Sequence, residues 1–415
     1  MNKPKWVDEP EQKPEELWLA WGLQTNNKGA PYTNLHNAAL ILESDAKYKS
    51  AVYFDEFLQR VIRKNSPLRE WGDADDLELT RHIQFTLAIP GMRREAVTQA
   101  VIAVASKRKR NCVKEWLETL KWDGQPRIDK FFSDYMGSKE DEYSDCASRN
   151  FWLSMVARAY KPGCKVDNMI VLEGEQGAGK STALHIVAGP DWFAEQHESA
   201  TNPKAFAEIL QGKLLVEISE MDAFRQAEVN RVKQTISCPS DRFRPAYGHH
   251  AVDHPRRCIF VGTTNKDDWN KDETGARRFW PIRCAGNINL DGIRENREQL
   301  FAEAVHRFKA GEPHWVMPTD ATKREQDDRY QVDAWHSKVV EILKEDVIDV
   351  GGFTQSYQEV KVRIIGGSDD GTIFQHQYQL PKTSNVDKQK LEKGDKIVIA
   401  KVSRSTAACN SAKAP

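Results

Sequence analysis

The amino-acid sequence predicts an α/β protein. A parallel sheet covered by helices is preceded by an all-helical domain and followed by a small β-rich tail. Three observations predict this. Over the first third, apolar residues recur at the three- and four-residue spacing of amphipathic helices. From about Arg149, short apolar runs alternate with helical stretches, which demands a sheet buried on both faces. After about Val347, apolar and polar residues alternate between glycine turns. The expected divisions are 1–140, 141–320 and 321–415.

The elements follow in order. Residues 1 to about 30 are rich in Pro, Glu and Lys and read as a loose lead-in. Asn37 to Leu42 offers one short apolar face, and Phe54, Phe57, Leu58, Val61 and Ile62 repeat at helical spacing. Leu77, Leu79, Ile83 and Phe85 follow, then a stripe through Ala96, Val97, Val101, Ile102 and Val104. A short helix from Val113 stops at Lys121-Trp122-Asp123-Gly124-Gln125-Pro126, where Asp-Gly and Pro act as punctuation. A helix over Phe151 to Tyr160 leads to a strand ending at Glu173. Further strands are expected at Leu214 to Val216 and Cys258 to Gly262, with helices between them and a closing helix near Gln299 to Ala310. In the tail, Val360 to Ile365 and Lys396 to Val402 alternate as strands, and Ser403 to Pro415 reads as disordered.

Composition narrows the function classes. The chain has 415 residues, room for two to three domains at roughly 150 each. Lys plus Arg is 60 and Asp plus Glu is 61, so the net charge is −1. That balance argues against a histone-like polyanion coat but permits a local basic groove. No apolar run approaches the roughly 18 residues of a membrane helix. The first residues lack the apolar core of a signal peptide. The 7 cysteines are odd in number and form no C-x-x-C pair. A reduced cytoplasmic protein with free thiols, outside any membrane, is expected.

Gly174-Glu175-Gln176-Gly177-Ala178-Gly179-Lys180-Ser181 fits the phosphate-binding pattern G-x-x-x-x-G-K-[ST]. The glycines let backbone N–H groups approach phosphates at the start of a helix continuing through Thr182. Lys180 would reach the β and γ phosphates of ATP, and Ser181 would bind Mg²⁺. The bland alternative is a connecting turn with a solvated lysine. The strand before and the helix after favour the nucleotide site.

Hydrolysis also needs an acid at a neighbouring strand tip. Leu214-Leu215-Val216-Glu217-Ile218-Ser219-Glu220 supplies two. They would face opposite sides of an extended strand, so a turn after Ile218 must bring them together if both act. Glu220 is assigned as the base and Glu217 to Mg²⁺, although the division of labour stays open. Asn265 ends the third strand and would sense the γ phosphate, where a plain turn former is the alternative. Arg277 or Arg278 would reach a neighbouring subunit's nucleotide, or else form a surface pair packed by Phe279 and Trp280.

Together these runs, with Asp241 to Gly248, Val261 to Asn265 and Gly275 to Ile282, closely resemble the virulence-associated protein E family. That family is similar to the phage and plasmid superfamily 3 helicases, an AAA+-like group. The resemblance covers about Val113 to Pro318 and includes the lead-in Leu120 to Arg127. It implies a hexameric ring that hydrolyses ATP between subunits and moves single-stranded or forked DNA with a pore hairpin. The implied setting is replication of a phage or mobile element in a bacterial cell or infected host, with other replication proteins as possible partners. The matching hairpin segment carries Lys233, Arg242, Arg244, Tyr247, His249 and His250. Cations with an aromatic suit contact with a DNA backbone. Arg242 and Arg244 could instead pair with ATP phosphates or with Asp222. A nucleotide-dependent switch or interference factor that never unwinds DNA is the alternative function, and a scaffold with a vestigial loop is a third.

Two features depart from the family pattern. Relatives often carry an upstream primase module, whereas Asp73-Ala74-Asp75 reads as a turn rather than a metal pair. The β-rich tail does not match the expected small helical cap. His250, His254 and Cys258 are spaced four apart, but Pro255 breaks any helix joining them. Lys107-Arg108-Lys109-Arg110 reads as a solvated helix end, and Trp116, Trp122 and Trp152 as core.

Overall fold

The structure is a computed structural model. It describes residues 13–64, 69–196, 203–221, 226–244, 250–266, 269 and 276–329, and the strands 357–365, 373–379 and 396–404. Two compact units are present, Met1–Tyr330 and Gln331–Pro415.

The first unit opens with helices α1 (Pro14–Ala20) and α2 (Leu35–Ser44). Asn34 caps α2 by accepting from the Asn37 N–H. Strands β1 (Val52–Asp55), β2 (Arg60–Arg63) and β3 (Arg69–Glu70) follow. Helices α3 (Asp73–Arg81) and α4 (Arg94–Lys107) then lead to strand β4 (Lys109–Arg110). The four strands form one sheet in the order β3-β2-β1-β4. Ile41, Leu42, Leu79, Val97, Val101 and Val104 are buried together in the core of this module.

This sheet corrects the all-helical expectation. The apolar spacing from Phe54 to Ile62 spans two strands and a turn. Asp55 Oδ1 accepts from the N–H groups of Phe57 and Leu58 at 2.8 and 2.9 Å, and Gln59 adopts a left-handed φ of 59°. Local side-chain bonds to the backbone outcompete the helix there. Val52, Tyr53, Val61 and Ile62 are residues that favour strands.

Asp73 and Asp75 begin α3 rather than forming a bare turn. Acids are favoured at a helix N-terminus, and Asp75 accepts from the Gly72 N–H at 2.9 Å. The basic run 107–110 is also not a simple helix end. Its last two residues pair alongside β1, and Lys107, Lys109 and Arg110 meet Glu43, Glu56 and Glu115.

The second part of this unit contains α5 (Cys112–Thr119), α6 (Phe131–Met136) and α7 (Glu142–Tyr160). Strand β5 (Met169–Glu173) follows, then α8 (Lys180–Ala188), β6 (Phe193–Gln196), α9 (Pro203–Ile209) and β7 (Leu215–Ile218). Next come α10 (Gln226–Ser237), β8 (Ser240–Phe243), β9 (Val252–Pro255), β10 (Ile259–Thr264) and β11 (Phe279–Arg283). Helices α11 (Leu290–Lys309) and α12 (Thr319–Asp327) close it.

Five strands form a parallel sheet in the order β11-β5-β10-β7-β6. All of β5 is buried, as a sheet covered on both faces requires. Ile170 and Leu172 pack with Trp152, Leu184 and Phe301, whereas Met169 and Val171 pack with Ile236, Trp269 and Phe279. The chain crosses from β5 to the far strand β6 and returns inward. That reversal opens a crevice at the C-terminal strand ends. The outer strand β11 is tied down by Tyr143 Oη donating to the Pro281 carbonyl at 3.1 Å and Gln326 Nε2 donating to the Phe279 carbonyl at 2.8 Å.

The lead-in segment clamps α11. Arg127 pairs with Asp123, and the N–H groups of Arg127 and Ile128 donate to the buried Glu303 carboxylate. Trp152 is core and Trp116 packs against Phe301, while Trp122 is half-buried against His306.

In the second unit, β12 (Tyr357–Ile365), β13 (Ile373–Gln379) and β14 (Lys396–Arg404) form an antiparallel sheet in the order β13-β12-β14. Ser403 and Arg404, within the segment expected to be disordered, end β14; residues 405–415 lie outside the described residues.

Candidate active site

The loop after β5 turns on three glycines. Gly177 and Gly179 adopt left-handed backbone at φ 80° and 94°, and Gly174 lies at φ 149°. A side chain at 174 would sit 2.9 Å from the Cys284 carbonyl oxygen. The loop delivers the chain into α8 with no side chain capping its first N–H groups. Such a helix start suits an anion.

Above it lies an open cleft of about 260 Å³, lined by residues 176–182, Glu195, Ser219, Glu220, Thr263, Thr264 and Asn265. Lys180 is 7% exposed. Its Nζ donates to the carbonyls of Gly174 and Glu175 at 2.7 and 2.9 Å, and to Asn265 Oδ1 at 3.3 Å. The register of β10 beside β5 brings Asn265 to this place.

Ser181 Oγ and Thr263 Oγ1 both donate to Glu217 Oε1, each at 2.7 Å. Glu217 is fully buried. Glu220 is exposed in the cleft, and its left-handed φ of 55° supplies the turn beyond Ile218 that places both acids at one end of the sheet. Thr263 and Glu195 were not legible as site residues. Glu195 pairs in register with Glu217 across β6 and β7, so both lie on one face. The only signal was Trp192-Phe193-Ala194, a run too short to stand out as a strand.

A family model for the virulence-associated protein E-like domain matches residues 117–333, more than half of the chain. The chain belongs to this family. Among solved structures, it is similar to an A-form apo structure of the NrS-1 C-terminal region, with 17% identity and a TM-score of 0.44. That match covers 71% of this chain and 75% of the other. An apo structure of NrS-1 residues 305–718 matches with 17% identity and a TM-score of 0.45, covering 72% and 80%. No curated protein matches the chain.

Within the VapE-like domain, β8 and β9 form an antiparallel hairpin with Ser240 opposite Pro255 and Phe243 opposite Val252. Buried Arg256 holds its base by donating twice to Asp241 at 2.6 Å, and also to the Thr235 carbonyl. Arg242 is exposed and pairs with Asp253 at 3.3 Å, and Arg244 and His250 are exposed. Tyr247, His249 and Asp222 lie outside the described residues.

Lys233 does not belong with these surface cations. It lies on α10, 7% exposed, with its ammonium 5.9 Å from the Phe279 ring centre. Burial first, and then the Arg278 charge, lower its pKa to about 8. Its burial comes from the apolar face that α10 turns to the sheet, which also buries Val232 and Ile236. His254 stacks on Phe243 at 4.2 Å, and Cys258 is buried at the start of β10.

Arg277 and Arg278 form a 3₁₀ turn just before β11. Phe279 pairs with Met169 and Arg283 with Glu173, so both arginines lie at the opposite end of the sheet from the cleft. Arg278 Nε donates to Ser237 Oγ at 2.9 Å, and Arg277 is exposed. Among the described residues, no helix is long and apolar enough to cross a membrane.

Proposed function

We propose that this VapE-like chain is an ATPase that drives movement along or unwinding of DNA in replication of a phage or mobile element. The observation that carries this reading is the convergence of Lys180, Asn265 and the Ser181–Glu217–Thr263 cluster on one cleft at a helix N-terminus. The α8 N–H groups and Lys180 would hold the ATP phosphates, with Asn265 beside the γ phosphate. Glu220, exposed in the cleft, would take the proton of the attacking water.

Hydroxyl and carboxylate oxygens from Ser181 and Glu217 are the hard donors that suit Mg²⁺, which uses few carboxylates together with substrate phosphates. When bound, Mg²⁺ supplies charge neutralisation at those phosphates. Thr263 holds the Glu217 carboxylate in orientation. Arg277 or Arg278, remote from its own cleft, would serve a neighbour's cleft in a ring, expected to be hexameric. The hairpin cations Arg242, Arg244 and His250 would track a DNA backbone, which ignores base sequence.

The test is ATP hydrolysis with and without single-stranded DNA. Stimulation by DNA is expected, lost in Lys180→Ala and weakened in Arg244→Ala. Hydrolysis indifferent to DNA would reassign the chain as a nucleotide-dependent switch. Absence of ATP binding would remove the nucleotide reading altogether.

A further inference from the structure

The VapE-like match extends past α12 to residue 333 and so includes a buried ion pair that none of the assigned roles uses. Glu173 is the last residue of β5 and immediately precedes the phosphate loop. It is fully buried, yet it is a carboxylate. Arg329, just beyond α12, meets it with a fork: Nε donates to both oxygens at 3.0 and 3.1 Å, and Nη2 donates to Oε2 at 3.0 Å. Trp269 Nε1 donates to Oε1 at 2.7 Å, and Glu325 pairs with the same guanidinium.

A buried ion pair is a weak source of net stability compared with apolar residues of the same volume. It is a strict source of geometry, because the guanidinium fork accepts a carboxylate in few orientations. Here that geometry is applied one residue from the loop. The Glu173 carbonyl accepts from the Cys284 N–H at 2.7 Å, and the next carbonyl, of Gly174, accepts from Lys180 Nζ at 2.7 Å. Gly174 itself is wedged against Cys284, so the strand end has little room to rotate. The Arg329 fork thus fixes the peptide from which Lys180 hangs.

We infer that Arg329 is a positioning residue of the nucleotide cleft, acting through Glu173 and the Gly174 carbonyl on Lys180. This rests on the reading of the cleft as an ATP site. It makes the segment after α12, far from the G-x-x-x-x-G-K-S run in sequence, part of the phosphate-binding apparatus.

The test compares Arg329→Lys, which keeps the charge and loses the fork, with wild type. Affinity for a fluorescent ATP analogue, KM and kcat for ATP, and thermal stability are measured at a temperature where both are folded. A positioning role predicts that the folded variant raises KM and the analogue Kd about tenfold, with kcat changed no more than about twofold. A merely structural role lowers the melting temperature and leaves KM and Kd at wild-type values, which would overturn the inference. Where Arg329→Lys does not fold, Glu173→Gln, which still accepts hydrogen bonds, carries the same comparison with the same two outcomes. Lys180→Ala separates the two levels. If it binds the analogue as wild type does, the cleft reading fails and the inference with it. If it loses binding while the Arg329 and Glu173 variants keep wild-type affinity, only the inference fails.

Discussion

Thr263 shows how one hydroxyl can organise a carboxylate. Glu217 is fully buried, and its Oε1 accepts from Thr263 as well as Ser181. Removing a partner from a buried acceptor costs about 1–3 kcal/mol. Thr263→Val keeps the shape and deletes the donor. The expected result is a kcat for ATP lower by about tenfold with little change in KM, checked by steady-state kinetics. An unchanged kcat would show that Glu217 is held without Thr263. At this scale the sequence is most readable where chemistry is local. The glycine spacing, Lys180 and Ser181 stand within one turn of chain, and Glu217 and Asn265 follow apolar runs that mark their strands. Thr263 gave no such signal, because its role depends on the register of β10 beside β7. Arg329 and Glu173 lie 156 residues apart, so only the fold unites them. Lys233 is obscure for the opposite reason: its sequence neighbours form a basic hairpin, while the helix face that carries it is buried.

Elements are legible where an apolar run marks them. The central strands β5, β7 and β10 each begin with an apolar run and were legible in the sequence. The outer strands β6 and β11 were not, since one carries Glu195 and Gln196 and the other Pro281. The sheet of the N-terminal module is hidden in the sequence because two short strands and a turn reproduce a helical period.

That module also carries a pH signature. Burial alone would raise the Asp45 pKa, but its hydrogen bond to His82 helps bring it below the ordinary value of 3.8. Asp75, also pushed up by burial, is brought down by hydrogen bonds from Arg69 and Arg63, and Glu78 is lowered chiefly by Arg63. For carboxyls lowered on folding, the stabilisation is fully present above the unfolded values and lost as pH falls through the lowered ones. Thermal melts should therefore show stability dropping below the ordinary values of 3.8 and 4.5. Asp75→Asn should flatten part of that fall. Parallel curves for wild type and variant would contradict the assignment.

Across the whole molecule, sheet polarity separates the cleft from Arg277 and Arg278. A five-residue strand spans about 16 Å, so neither arginine stands at the mouth of its own cleft. If they serve a neighbour, mixing Lys180→Ala with Arg278→Ala subunits should restore part of the ATPase activity that each lacks alone. No recovery at any ratio would count against action in trans by Arg278. The outer strand β11 limits how such subunits could meet. The Phe279 carbonyl is occupied by Gln326 and the Pro281 carbonyl by Tyr143, and Pro281 has no N–H to offer. A strand arriving from another copy would find two acceptors taken and one donor missing. Subunits therefore cannot readily join by adding a strand beside β11, and the same closure guards this edge of the sheet against edge-to-edge aggregation when many copies crowd together.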